Sequence, residues 1–187
     1  MGINLKKSQS INLTKEAPGI NNIYLGLGWD EGGGSDIDCD VSIFMLNADN
    51  KIPSEGHFVF FNNLTSSDGS IQHQGDNRTG EGDGDDEAVF IDLSRVDDAV
   101  LQILVVVTIH DAESKGQDFG VLENAFIRVV NQDGNVDLCN YDLQADFDGM
   151  DSVQIARLYR DGSSWSFEAM AQGFSGGLET LLGMYQG

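Results

Sequence analysis

The residues most able to do chemistry are crowded into one stretch, Gly75-Asp-Asn-Arg-Thr-Gly-Glu-Gly-Asp-Gly-Asp-Asp-Glu87. It carries the carboxylates Asp76, Glu81, Asp83, Asp85, Asp86 and Glu87 on a backbone interrupted by Gly75, Gly80, Gly82 and Gly84. Glycine at near-alternate positions supplies the φ > 0 corners that let a loop wrap tightly and turn its carbonyls inward. Carboxylates forced that close together either bind protons or hold a cation that cancels their repulsion. An all-oxygen donor set without Cys or His points to a hard ion, and Ca2+ tolerates irregular cages of about 6–8 oxygens where Mg2+ demands a near-octahedral one. Calcium is the expected cofactor. The spacing is not that of an EF-hand: the Asp/Asn ladder, the central Gly and the distal bidentate Glu are missing, and no helical periodicity flanks the stretch.

Two further groups could complete such a site. In Asp36-Ile-Asp-Cys-Asp-Val41, an extended chain puts Asp36, Asp38 and Asp40 on one face and Ile37, Cys39 and Val41 on the other. A file of like charges is unfavourable on an ordinary sheet surface, so a shared ion site is the preferred reading. Asn62 and Asn63, which follow the apolar run His57-Phe-Val-Phe-Phe61, offer amide oxygens at a strand end. The expected ligand set is therefore Asp36, Asp38, Asp40, Asn62, Asn63, Asp76, Glu81, Asp83, Asp85, Asp86 and Glu87. The alternative chemistry belongs to His110-Asp-Ala-Glu113, where a His beside carboxylates could act as a general base in a metal-dependent hydrolase or phosphoryl-transfer enzyme. No Gly-x-Ser-x-Gly, reactive-Cys or His-Glu-x-x-His pattern accompanies it, so His110 is read as a hydrogen-bonded structural residue and the protein as a non-enzyme. His57 and His73 have no His or Cys at metal-ligand spacing.

The elements that must position these groups are strands. Ser10–Thr14, Asn22–Trp29, Asp36–Leu46, His57–Phe61, Ile71–His73, Ala88–Leu93, Leu101–Ile109, Ala125–Val130, Val136–Leu143, Ile155–Arg160 and Trp165–Ala171 are short β-rich runs separated by turn residues, among them Asp133-Gly134 and Asp161-Gly162. Leu101–Ile109 reads as a central strand, buried on both sides for part of its length. Helical spacing occurs at Gly177–Tyr185, with Leu178, Leu181, Leu182 and Tyr185 on one face and Ser175 in place to cap it. The expected fold is all-β, a sandwich of two antiparallel sheets with a short C-terminal helix, in one domain over residues 1–187.

Composition bounds the partners. With 31 acids against 10 bases the formal net charge is −21, which excludes the phosphate backbone of nucleic acid and a bare anionic membrane as natural partners. It also predicts self-repulsion that bound cations relieve. The amino terminus lacks an apolar signal segment, and no run approaches the ~20 residues that span a bilayer, so a cytoplasmic protein without direct membrane insertion is expected. In a reducing compartment Cys39 and Cys139 are expected as separate thiols.

The blocks Leu13-Thr-Lys-Glu-Ala-Pro-Gly19, Leu25-Gly-Leu-Gly-Trp-Asp30, Phe60-Phe-Asn-Asn-Leu64, Gly75–Glu87, Thr108-Ile-His-Asp-Ala-Glu113 and Asn124–Asn131 together resemble the TerD family of bacterial tellurium-resistance and general stress proteins. The resemblance implies a calcium-binding β-sandwich similar in architecture to C2 domains, with ions held among loops at one end and no established catalytic activity. It implies a role in tellurite resistance and stress response together with protein partners in a stress-response complex. The family's acidic-loop motif falls on Asp76, Asn77, Glu81, Asp83, Asp85, Asp86 and Glu87, and its acidic strand start on Asp36, Asp38 and Asp40.

Overall fold

A computed structural model describes residues 2–31, 37–75, 85–143 and 147–187. The sequence-predicted ligands Asp36, Asp76, Asn77, Glu81 and Asp83 lie outside the described residues. The described residues form twelve strands: β1 (Ile3–Leu5), β2 (Ser10–Asn12), β3 (Asn22–Glu31), β4 (Cys39–Leu46), β5 (Phe58–Val59), β6 (Ile71–His73), β7 (Glu87–Asp92), β8 (Gln102–Ile109), β9 (Leu122–Asn131), β10 (Val136–Asp142), β11 (Ser152–Asp161) and β12 (Ser164–Phe174). Among the described residues three α-helices accompany them, α1 (Leu13–Glu16), α2 (Ala112–Lys115) and α3 (Gly177–Tyr185). One six-stranded sheet runs β1-β10-β9-β3-β7-β6 and the other β2-β12-β11-β8-β4-β5. Every pairing between these strands is antiparallel except that of β1 with β10.

Alternation builds the sandwich. Cys39, Val41, Ile43 and Met45 of β4 and Ile103, Val105, Val107 and Ile109 of β8 point into the main core between the sheets. Phe44 and Leu46, with Leu104 and Val106, point the other way into a second apolar cluster, where α3 covers them with Leu178, Leu181, Leu182 and Tyr185. Both faces of β8 are thus covered, which is why it reads as an unbroken apolar run instead of an alternating one. Leu181 is fully buried, worth about 1.5–3 kcal/mol of transfer free energy.

Three local expectations are corrected. The strand at Ser10 stops at Asn12, whose side chain accepts a hydrogen bond from the Lys15 N–H at 2.9 Å and caps α1. The run His57–Phe61 yields only the two-residue β5, because Glu55–His57 form a 3-10 turn and Phe60 pairs back with Asn63 around a tight turn. Ser175 does not cap α3. Its hydroxyl donates to the Gly149 carbonyl, and the Asp151 carboxylate instead accepts from the Gly176 and Gly177 N–H groups at 3.0 and 2.9 Å. A ligand for that helix start comes from the β10–β11 connection, a placement no local capping pattern encodes.

Candidate functional site

Strand direction gathers the acids. β3, β6, β8, β10 and β12 end, and β4, β7, β9 and β11 begin, at the same end of the sandwich. Asp38, Asp85, Asp86, Asp111 and Asp151 are carried there on the described parts of the connections, and Asp40 at the start of β4. At the start of β4 the expected alternation holds: Ile37 and Cys39 are buried, Asp38 is exposed and Asp40 half-buried. The Asp38 carbonyl accepts from the His110 N–H at 2.7 Å, tying this segment to the end of β8.

The carboxyl end of the acidic stretch is anchored by three unlike interactions. Asp85, with a side chain only 5% exposed, receives the Arg128 guanidinium at 2.6 Å. The same carboxylate accepts from the Tyr24 hydroxyl at 2.6 Å. It lies over Gly26, where a side chain would overlap it. Gly26 stands between Ala88 of β7 and Arg128 of β9, so two small residues leave a hollow on the sheet's outer face that the carboxylate fills. Burial first, then the bond to Asp85, pushes the Tyr24 hydroxyl up to about 12, and the Asp85 hydrogen bond drives the Arg128 guanidinium further up. Asp86 follows: its N–H donates to the Leu27 carbonyl at 2.7 Å and its carboxylate accepts from the Trp29 N–H at 2.8 Å.

Glu87 turns inward. It shares parity with the buried Val89 and Ile91 and is itself 3% exposed. Its Oε2 accepts from the Val41 N–H at 2.8 Å, and the Val41 carbonyl lies 3.1 Å from His73 Nε2. Val41 lies beyond the reach of the short β5, so side chains from the opposite sheet take the backbone groups that a neighbouring strand would otherwise occupy. His73 Nδ1 accepts from the Gly75 N–H at 3.0 Å, which leaves the ring proton on Nε2, facing the Val41 carbonyl and, at 3.3 Å, Glu87. Burial raises the Glu87 carboxyl and outweighs the pull of His73. For His73 burial pushes down, but the Glu87 hydrogen bond and charge outweigh it and the shift is upward. Glu87 Oε1 has no hydrogen-bond partner among the described residues. A buried carboxylate oxygen left so is a place where a proton or a cation is due.

The remaining predicted ligands are placed differently. Asn63 is part of the turn after β5, its amide donating to the Phe58 carbonyl at 2.6 Å, and Asn62 is exposed beside it. Both line a groove with Phe58, Phe60 and Leu182, on the side of the sheet covered by α3. Among the described residues no group of three or more His, Cys, Asp or Glu is arranged to hold a metal ion. The described donors are hard oxygens, as calcium requires, and Asp38, Asp40 and Asp86 are acids of this loop end that belong to the expected set. His110, with a side chain 47% exposed, has Asp40 at 3.6 Å and Asp111 at 3.4 Å. Cys39 and Cys139 are buried thiols, and burial pushes that of Cys139 up to about 12, far from a reactive thiolate.

Sequence reasoning considered His73 only as a metal ligand and set it aside, and it passed over Arg128, Tyr24 and Asp151. A signal existed for one partner only: Glu87 at inward parity with Val89 and Ile91 demands a buried donor.

Comparison with known proteins decides the family. The TerD domain model matches residues 1–185. The chain belongs to the TerD family. It is 45% identical to tellurium resistance protein TerD of Serratia marcescens, over 99% of this chain and 97% of that one. It is 44% identical to general stress protein 16U of Bacillus subtilis, over 97% and 95% of the two chains. In fold it is similar to the crystal structure of a TerD homologue from Streptomyces coelicolor A3(2), with a TM-score of 0.70 at 23% identity, covering 88% of this chain and 96% of that one. Relatives in this family carry names of tellurium resistance and general stress response. Among the described residues no helix is long and apolar enough to cross a membrane.

Proposed function

We propose that this TerD-family protein is a one-domain, calcium-binding stress-response protein of the cytoplasm, associated with tellurite resistance, that acts by binding and not by catalysis. In this reading the Gly75–Glu87 stretch and the Asp36–Asp40 strand start hold Ca2+ between them, and the neutralised loop end presents an ordered surface to a protein partner. The observation that carries the reading is the 2.8 Å bond from the Val41 N–H to Glu87. Glu87 closes the acidic stretch and Val41 follows Asp40, so one hydrogen bond joins the two acid-bearing segments that are far apart in sequence. The orphaned Glu87 Oε1 and the net charge of −21 add to it, since both are relieved by a cation.

Titration calorimetry with Ca2+, paired with melting in calcium and in chelator, tests the proposal. Ligand that binds only the native state adds about 2.7 kcal/mol at a hundredfold excess over Kd. Asp38→Asn combined with Asp86→Asn is expected to be non-additive in calcium affinity, as neighbours in one network are. No heat of binding and an unchanged melting temperature would overturn the calcium reading. Metal-dependent turnover of phosphate esters abolished by His110→Gln would instead favour the hydrolase reading of His110 and Asp111.

A further inference from the structure

A row of aromatic rings leads out of the second apolar cluster to the surface. Phe44 and Phe58 are buried with ring centroids 4.7 Å apart, Phe58 stacks on Phe60 at 4.5 Å, and Phe60 meets Phe61 edge-on at 5.2 Å. Phe61 occupies the tip of the tight turn between Phe60 and Asn63, where it is 44% exposed, and its ring faces His110 at 6.4 Å. A two-residue turn is usually filled by Gly, Asn or Asp, and a large ring there buries little of itself against its own chain. Together with Leu178 and Leu182 of α3, Phe60 and Phe61 form the apolar wall of a groove of about 700 Å3. Asp111, Glu113 and Glu179, all exposed, bring carboxylates to the rim, and Asp40, His110 and Asp151 also line the groove. No Lys or Arg lines the groove among the described residues.

We infer that this groove is the docking site for a basic segment of a partner protein, one that carries Lys or Arg beside an aromatic or aliphatic anchor. Charge complementarity selects the occupant. A rim of carboxylates without a cation attracts a positively charged chain and repels an acidic one. The net charge of −21 argues against a second copy of this protein, and an anionic lipid surface is excluded on the same ground. The apolar wall supplies what charge alone does not, a pocket in which an anchor side chain loses its water. Asp151 also reaches the groove, with its carboxylate oxygens accepting from the Gly176 and Gly177 N–H groups at the start of α3. This inference goes beyond the calcium reading and is tested apart from it: Asp40 lines the groove and also belongs to the proposed calcium site, whereas Asp111, Glu113 and Glu179 are not among the proposed calcium ligands.

The test uses fluorescently labelled peptides and the full-length protein, with anisotropy read in calcium and again in chelator. One peptide alternates Lys with Leu and carries one Trp, a second keeps the apolar residues but replaces Lys with Glu, and a third is Lys and Gly only. The first is expected to bind and the other two to bind at least about tenfold more weakly. Phe61→Ser, and separately the triple change Asp111→Asn, Glu113→Gln and Glu179→Gln, are each expected to weaken the first peptide about tenfold or more. All four positions are at the surface, and circular dichroism melting verifies the fold of each variant. A control removes the same charge from the opposite end of the sandwich through Asp49→Asn, Asp98→Asn and Asp161→Asn and is expected to leave binding within about twofold. Equal loss in this control, equal binding of the Lys-Gly peptide, or no binding of the first peptide would overturn the inference. Sedimentation that shows a dimer abolished by Phe61→Ser would overturn it in favour of a second copy. Failure of calcium binding leaves the chelator arm intact, so the two readings fail separately.

Discussion

Replacing Asp85 by Ala tests the anchor of the acidic stretch. The side chain is 5% exposed and accepts from Arg128 at 2.6, 2.9 and 3.0 Å and from Tyr24 at 2.6 Å. Removing one partner of a fully buried ion pair costs about 3–5 kcal/mol. Here the Arg128 side chain is 40% exposed and has Asp137 at 3.7 Å, so the guanidinium can turn to water and to a second carboxylate. The cost is therefore expected at about 2–3 kcal/mol, near that of a lost charge-assisted hydrogen bond plus a partly orphaned hydroxyl. For a chain of this length that is a fall of about 4–12 °C in melting temperature. Urea unfolding at neutral pH in chelator measures it without interference from calcium. The same variant has a second readout, because Tyr24 titrates at about 12 through burial first and Asp85 second. Phenolate absorbance should move toward the ordinary tyrosine value of about 10 without reaching it, since burial remains. The raised hydroxyl contributes stability that is present below pH ~10 and lost as pH rises through the folded value. Asp85→Ala should shrink that alkaline loss. A cost under about 0.5 kcal/mol with an unmoved tyrosine titration would refute the anchor and return Asp85 to the solvated class.

Gly26→Ala should destabilise by about 1–3 kcal/mol through overlap with the Asp85 carboxylate, yet cost little when Asp85 is already Ala, a non-additivity that a double-mutant cycle in urea reads directly. Glu87→Gln is expected to flatten the pH dependence of stability in chelator. Glu87 is raised in the folded state, so its contribution is present below the unfolded carboxyl pKa of about 4.5 and lost as pH rises through the folded value, a loss the amide cannot suffer; an unchanged profile would show that the pair with His73 is not the titrating element. Asp151→Ala should cost about 1 kcal/mol by uncapping α3, while Ser175→Ala should cost less than half as much, as measured by thermal melting. The reverse order would mean that the helix start is held by the Ser175–Gly149 contact.

Much of the fold was legible because its causes are local. Alternation in Asp38-Cys-Asp-Val41 puts Cys39 and Val41 in the core and the two acids outside, as pairing requires of any strand with one buried face. The spacing of Leu178, Leu181, Leu182 and Tyr185 likewise marks α3 and the face it buries. Even the density of carboxylates from Gly75 to Glu87 is a property of the sequence, and with it the demand for a counter-charge. What each carboxylate does is not, because neighbours of one residue type part company once strands are laid side by side. Asp85 falls into the hollow over Gly26 and meets Arg128, Asp86 meets the Trp29 backbone, and Glu87 reaches across the sandwich to Val41 and beside it meets His73 of its own sheet. Arg128, Trp29 and Val41 lie 43, 57 and 46 residues from their carboxylates, at registers set by the pairing of whole strands and the packing of one sheet on the other. Alternation says which face a side chain takes; which groups wait there depends on the tertiary arrangement, and an ion pair or a buried carboxylate is decided by the groups it meets at about 3 Å.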